Sequence, residues 1–130
     1  VTINREEVPE WSRALYKMTN KRGVDMVVDN VGQATLNSSI RACRIGGRIL
    51  IVGGTSGYKV DLNVAQIFTR QIALIGSTMG PHRDYMAFMN QVFAGNIKAV
   101  IGERLPLKDV RQAQDILEEN AVFGKVVLEI

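Results

Sequence analysis

The 130-residue chain predicts an α/β fold built on a parallel sheet. Three observations point there. Aliphatic runs of strand length alternate with stretches of helical period, the order produced by crossover units feeding parallel strands. The clearest runs show no apolar/polar alternation, as expected of strands covered on both faces. Each of the first three runs also closes on small or glycine-rich residues, where a buried strand turns back into a loop.

The elements follow in order. Pro9 suits a first helical turn, and Trp11, Leu15 and Met18 repeat at spacings of four and three, giving an amphipathic helix that stops before Gly23. Met26 to Val28, bounded by Asp25 and Asp29, reads as a short buried strand ending at Asn30 or Val31. Thr35 to Cys43 is a helix with Leu36, Ile40 and Cys43 on one stripe, and Gly46-Gly47 is expected to break the chain into a turn. Arg48 to Val52 is the strongest strand and runs into Gly53, Gly54 and Gly57. Val64 to Arg70 gives a brief helix, and Ile72 to Ile75 a third strand closing on Gly76, Ser77 and Thr78. From Pro81 a helix carries Tyr85, Phe88, Met89, Val92 and Phe93 on a broad face, assigned to the core, and ends at Gly95. Ala99 to Leu105 is a more alternating strand broken by Pro106. Val110, Ala113, Ile116 and Leu117 make a last helix, and Lys125 to Ile130 a closing strand. No repeat, low-complexity segment or long linker divides the chain, so it reads as one domain or a piece of one, 1–130, with 99–130 forming a terminal strand-helix-strand.

Composition removes several classes of function. With 46% hydrophobic and 22% charged residues the chain fits a soluble globular domain and not a disordered or fibrous one. A single cysteine, Cys43, and a single histidine, His82, provide neither a disulfide within one copy nor a Cys/His zinc site, and no zinc is expected in this chain. The net charge of +3, from 16 basic and 13 acidic residues mixed along the chain, is too weak a bias for nucleic acid. No apolar run approaches the length of a membrane span and no signal peptide opens the chain, so a reducing, cytoplasmic setting is expected. The absence of Met at the first position suggests an internal piece of a longer chain.

Ligands of open parallel sheets lie beyond the carboxyl ends of the strands, where small residues admit close backbone contact. Those ends here are Asn30-Val31-Gly32, Val52-Gly53-Gly54 and Ser77-Thr78-Met79. They read either as the rim of a nucleotide-type pocket or as plain turns after buried strands. Asp29 reads equally as a ribose contact or as the stabiliser of the following turn. Tyr58 is read as packing on its own strand, His82 as an exposed loop residue, Cys43 as a buried inert thiol, and Arg41, Arg44 and Arg48 as a solvated cluster near a helix C-terminus.

The segments Gly23-Val24-Asp25-Met26-Val27-Val28-Asp29-Asn30-Val31-Gly32, Arg44-Ile45-Gly46-Gly47-Arg48-Ile49-Leu50-Ile51-Val52-Gly53 and Ile75-Gly76-Ser77, in that order and spacing, resemble the medium-chain dehydrogenase/reductase superfamily, the zinc-type alcohol dehydrogenase and quinone oxidoreductase group. Gly124-Lys125-Val126-Val127-Leu128 resembles its final strand. The resemblance implies a partial Rossmann-type sheet flanked by helices, the C-terminal part of a coenzyme-binding domain for NAD or NADP. It implies backbone of Val52, Gly53 and Gly54 near the nicotinamide carboxamide, Asn30 to Gly32 and Ser77 to Met79 flanking ring and ribose, and Lys125 near the pyrophosphate. It assigns no catalytic residue to this chain.

The departures from the family are large. No G-x-G-x-x-G occurs, so the phosphate-binding helix start and the first two strands of the fold are missing. Val1 to Asn4 resembles the third, edge strand. The catalytic domain is absent, so the isolated chain is expected to be inactive, and its parent to move hydride to or from an alcohol or carbonyl, a quinone or an activated alkene. The strand at Met26 to Asp29 is expected to leave an open edge that recruits a second copy as a homodimer or domain swap. Two rivals remain at this point: part of an S-adenosylmethionine-dependent methyltransferase, in which an aspartate strand and a Gly-Gly turn also occur, and a non-catalytic assembly module.

Overall fold

A computed structural model describes all 130 residues, which form two compact units, Val1–Met79 and Gly80–Ile130. The first contains α1 (Trp11–Met18), β1 (Val24–Asp29), α2 (Leu36–Ala42), β2 (Cys43–Ile51), α3 (Val64–Phe68) and β3 (Ala73–Gly76). The strands make one parallel sheet in the order β1-β2-β3, with Val27, Ile49 and Leu74 side by side and Val28, Leu50 and Ile75 in the next row.

A right-handed crossover places successive helices on the same face of a parallel sheet, and the core lies on that face. Leu36 and Ile40 of α2 meet Cys43, Ile49 and Ile72, with Val27, Ile51, Ile67 and Leu74 packed around them. The opposite face is bare. Met26, Val28 and Ile75 are 52%, 62% and 42% exposed, so the strands expected to be covered on both sides are covered on one. The run of aliphatic residues reports a strand without alternation; it does not report whether a second layer is present.

Two further expectations are corrected. Val1 to Asn4 forms no strand, because β1 is the edge of the sheet and no ladder lies next to the segment; its Asn4 instead closes a turn by accepting from the Val8 amide at 2.9 Å. Gly46-Gly47 does not end an element. The strand β2 starts directly after α2, and the glycines absorb a register jump between the pairs Val24–Cys43 and Met26–Arg48. Gly47 is buried against Cys43 Sγ and the Asp25 carbonyl, where any side chain would collide.

The turn from β1 into α2 is organised by Asp29, which is 4% exposed. Its Oδ1 accepts from the amides of Val31 (3.0 Å) and Gly32 (2.9 Å) and from Thr35 Oγ1 (2.8 Å), while Oδ2 accepts from Ser39 Oγ at 2.7 Å. Burial opposes ionisation, but these bonds to the charged form outweigh it and hold the carboxyl below its usual range. Of the two roles open for Asp29, the structure shows the turn stabiliser.

The second unit contains α4 (His82–Phe93), β4 (Ile101–Pro106), a single 3-10 turn (Leu107–Asp109), α5 (Val110–Glu118) and β5 (Lys125–Glu129). The strands β4 and β5 pair in parallel as a separate two-stranded sheet, and Ala113 is the unit's one buried apolar residue. The helix at Pro81 forms as expected, but none of its residues is buried, with Tyr85 57%, Phe88 52% and Phe93 79% exposed. Its apolar stripe is therefore not core. Periodicity identifies the stripe, whereas its burial depends on a neighbouring surface. His82 opens this helix and does not lie in a loop, although it is exposed as expected.

Removing the Asp29 carboxylate strands two amides and two hydroxyls. Asp29→Ala is expected to lower the unfolding free energy by about 3 kcal/mol, and Asp29→Asn, which keeps one acceptor oxygen, by less. The folded pKa lies below the unfolded one, so this stabilisation is present above the unfolded value and is lost as acid titrates the native carboxylate. Urea titrations of the native sequence should show stability falling below about pH 4, with a flatter dependence in Asp29→Asn.

Candidate functional site

The parallel ladder brings the three strand ends to one level. Asp29 stands opposite Ile51, and Ile51 opposite Gly76. One residue further, Val52 N donates to the Asp29 carbonyl and Ser77 N to the Ile51 carbonyl, both at 2.9 Å. Asn30, Val52 and Ser77 consequently leave the sheet side by side. The segments Asn30-Val31-Gly32, Val52-Gly53-Gly54 and Ser77-Thr78-Met79 therefore begin next to one another at the same end of the sheet.

Between the first two tips the backbones touch. A Cβ added to Gly32 would lie 2.8 Å from Gly54 Cα and 2.8 Å from the Gly57 carbonyl oxygen, and Gly32 also has φ +84°. Both facts demand glycine there. A Cβ on Gly53 would stand 3.0 Å from the Asn30 carbonyl oxygen. Hydrogen bonds lock the same contact: Ser56 Oγ donates to the Val31 carbonyl at 2.7 Å and accepts from the Ala34 amide at 2.9 Å, and the Ser56 amide donates to the Val31 carbonyl at 2.9 Å.

With the loops held, the Gly53 amide and the Val52 carbonyl take no part in backbone hydrogen bonding, and the side chains of Asn30, Val52, Ser77, Thr78 and Met79 are exposed. The Gly53 amide and the Val52 carbonyl belong to one trans peptide and point in opposite directions, so a polar ligand meets one or the other, with the exposed hydroxyls of Ser77 and Thr78 following the third strand. Lys125 lies in the second unit, at the start of β5, where its amide donates to the Val100 carbonyl at 2.8 Å.

Thr35, Ser39 and Ser56 were absent from the sequence reading of the site, yet they order it. A serine two residues beyond a Gly-Gly pair carries no signal by itself; its partners Val31 and Ala34 are 25 and 22 residues away. Tyr58 is 91% exposed, and its ring edge lies against Gly54, where a Cβ would come within 2.7 Å of Cδ1. It packs on the loop that follows its own strand. Cys43 is fully buried, with Sγ 3.7 Å from the Arg48 carbonyl, and burial pushes its thiol up, consistent with an inert side chain. Arg44 and Arg22 both bond Asp25, at 2.6 Å, and hold that carboxyl well below the usual range.

No three His, Cys, Asp or Glu side chains converge to hold a metal ion, and no helix is long and apolar enough to cross a membrane.

Comparison with known proteins assigns this architecture to a family. Residues 1–94 match the family described as zinc-binding dehydrogenase. A zinc-type alcohol dehydrogenase-like protein of Schizosaccharomyces pombe is 29% identical over 99% of this chain and 38% of its own length. A quinone oxidoreductase of Lama guanicoe is 27% identical over 88% of this chain and 36% of its own. The crystal structure of an NAD-dependent alcohol dehydrogenase superposes with a TM-score of 0.82 at 38% identity, over 94% of this chain and 36% of that one. The chain thus spans little more than a third of the length of these relatives. A helix-flanked parallel sheet with glycine-bordered tips at one level, together with these matches, shows that the chain belongs to the zinc-binding dehydrogenase family, as the C-terminal coenzyme-binding part of a medium-chain dehydrogenase/reductase.

Proposed function

We propose that the chain forms the nicotinamide side of a dinucleotide site, NAD or NADP, in an oxidoreductase acting on an alcohol or carbonyl, a quinone or an activated alkene. The observation that carries this reading is the alignment of the three tips at one end of the sheet, with the Gly53 amide free of backbone hydrogen bonds in a wall that glycine keeps shallow. A carboxamide oxygen can accept from that amide.

When bound, the nicotinamide would supply or accept hydride. The chain's own residues bind and orient. Gly53 N donates to the carboxamide oxygen, the exposed Val52 side chain lies next to it, and Asn30, Val31 and Gly32 form the wall beside the ring. Gly54 belongs to the same backbone platform, with Tyr58 against it. Ser77 and Thr78 offer hydroxyls to the ribose and Met79 an apolar edge. None of these groups is placed to move a proton, so no catalytic residue is assigned.

The family's name invites a test for zinc, and the residues present do not fit it. Cys43 is sealed in the core and His82 is an exposed helix residue of the other unit. No step through a metal is derived for this chain.

Titration with NADH and with NADPH, followed by reduced-nicotinamide fluorescence, is expected to show saturable binding to at least one of them. Gly53→Val is expected to weaken it at least tenfold, about 1.4 kcal/mol, and, because a Cβ there stands 3.0 Å from the Asn30 carbonyl oxygen, also to lower the thermal midpoint, so binding is compared at a temperature where both chains are folded. Binding of S-adenosylmethionine in place of both nucleotides would overturn the assignment. The edge of β1, with Met26 and Val28 exposed beside it, supports pairing with a second copy, and light scattering is expected to report a dimer.

A further inference from the structure

At the opposite end of the sheet from the glycine tips lies a cavity of about 790 Å³, entirely within the first unit. Lys21 and Arg22 precede β1, Arg44 lies near the start of β2 and Arg70 precedes β3, so the cavity opens at the amino ends of the strands. A six-residue strand such as β1 separates the two ends by roughly 17 Å. Whatever fills one end leaves the other free.

The wall is strongly one-sided in charge. Arg13, Lys21, Arg22, Arg41, Arg44 and Arg70 line it, with Glu10 as the one carboxylate among the lining residues. Asp25 stands beside it, bonded by Arg22 and Arg44, which leaves an excess of four positive charges. Two of the cations have structural duties. Arg70 donates to the carbonyls of Ile40 (2.9 Å) and Cys43, closing the end of α2, and Arg44 joins Asp25 to the Ile45 carbonyl. Arg41 bonds only a neutral partner, Ser38 Oγ at 2.7 Å. Arg13 and Lys21 form no ion pair.

Cations gathered around a concave wall repel one another and focus a positive potential into the space between them. No requirement of the fold explains Arg13, Lys21 and Arg41 facing that space. Guanidinium forks fit phosphate oxygens in pairs, and the volume is that of a small-molecule site. Tyr16 and Ile45 add apolar wall, suited to a ring or short chain attached to the anion. We propose that this pocket binds a small organic phosphate, a phosphomonoester or diphosphate carrying a ring, held by Arg13, Lys21 and Arg41 and backed by Arg22, Arg44 and Arg70.

The test is calorimetry of the full chain at low salt with inorganic pyrophosphate and with AMP, and with citrate at matched ionic strength as a carboxylate control. Amide chemical shifts locate the site. One equivalent of pyrophosphate or AMP is expected to bind, at least tenfold tighter than citrate, with shifts concentrated at Lys21, Gly23, Arg44 and Gly46. The double variant Arg13→Gln, Lys21→Gln, which removes no hydrogen bond of the fold, is expected to lose at least tenfold in affinity at an unchanged melting temperature, and Arg41→Gln to lose less. Affinity equal for citrate, shifts scattered over distant cations such as Lys98 and Lys108, or a double variant that binds as well as the native chain would each overturn the proposal.

Discussion

The buried carboxylate of Asp29 is the point from which the first unit is organised. Four partners converge on it: Val31 and Gly32 in the turn, Thr35 just before α2 and Ser39 within it. Without a buried anion the amides of Val31 and Gly32 would be left without acceptors at the start of a helix, where backbone donors have no intrahelical partner. With it, Gly32 is drawn inward until its backbone meets Gly54 and Gly57. The geometry of the strand tips is thus set from beneath, by a residue that does not itself reach the mouth.

This division of labour accounts for how little side-chain chemistry the site displays. The groups at the strand tips are backbone atoms, small hydroxyls and the uncharged side chains of Asn30, Val52 and Met79, positioned by a parallel ladder that continues one hydrogen bond past β2 and β3. Recognition by backbone tolerates changes in side chain but not in shape, so glycine is required where two loops touch. The ionisable residues lie elsewhere. Asp25, Arg22 and Arg44 form a cluster at the foot of the sheet, where exposed pairs add little stability but where their charges shape the local potential.

The position of the strand ends was readable because they are local features: an aliphatic run, then Asn-Val-Gly, Val-Gly-Gly or Ser-Thr-Met. The roles of Ser56, Thr35 and Ser39 were not, since each acts through a partner brought close only by folding. The same limit explains the two misplaced surfaces. Tyr85, Phe88 and Phe93 have helical spacing whether or not anything lies against them, and Met26 and Val28 belong to an apolar run whether the sheet has one covered face or two. Gly46-Gly47 was read as a stop because glycine commonly marks one, yet within β2 it serves a close approach to Cys43 and a change of register.

The amino-acid sequence alone determined the succession of helices and strands, the α/β class and the residues at each strand tip, because period and turn chemistry are properties of neighbours along the chain. Tertiary structure decided which faces are covered, that three tips end at one level and that six cations border one cavity. These depend on pairing between segments some twenty residues apart or more, and no local pattern specifies which distant surface a segment will meet.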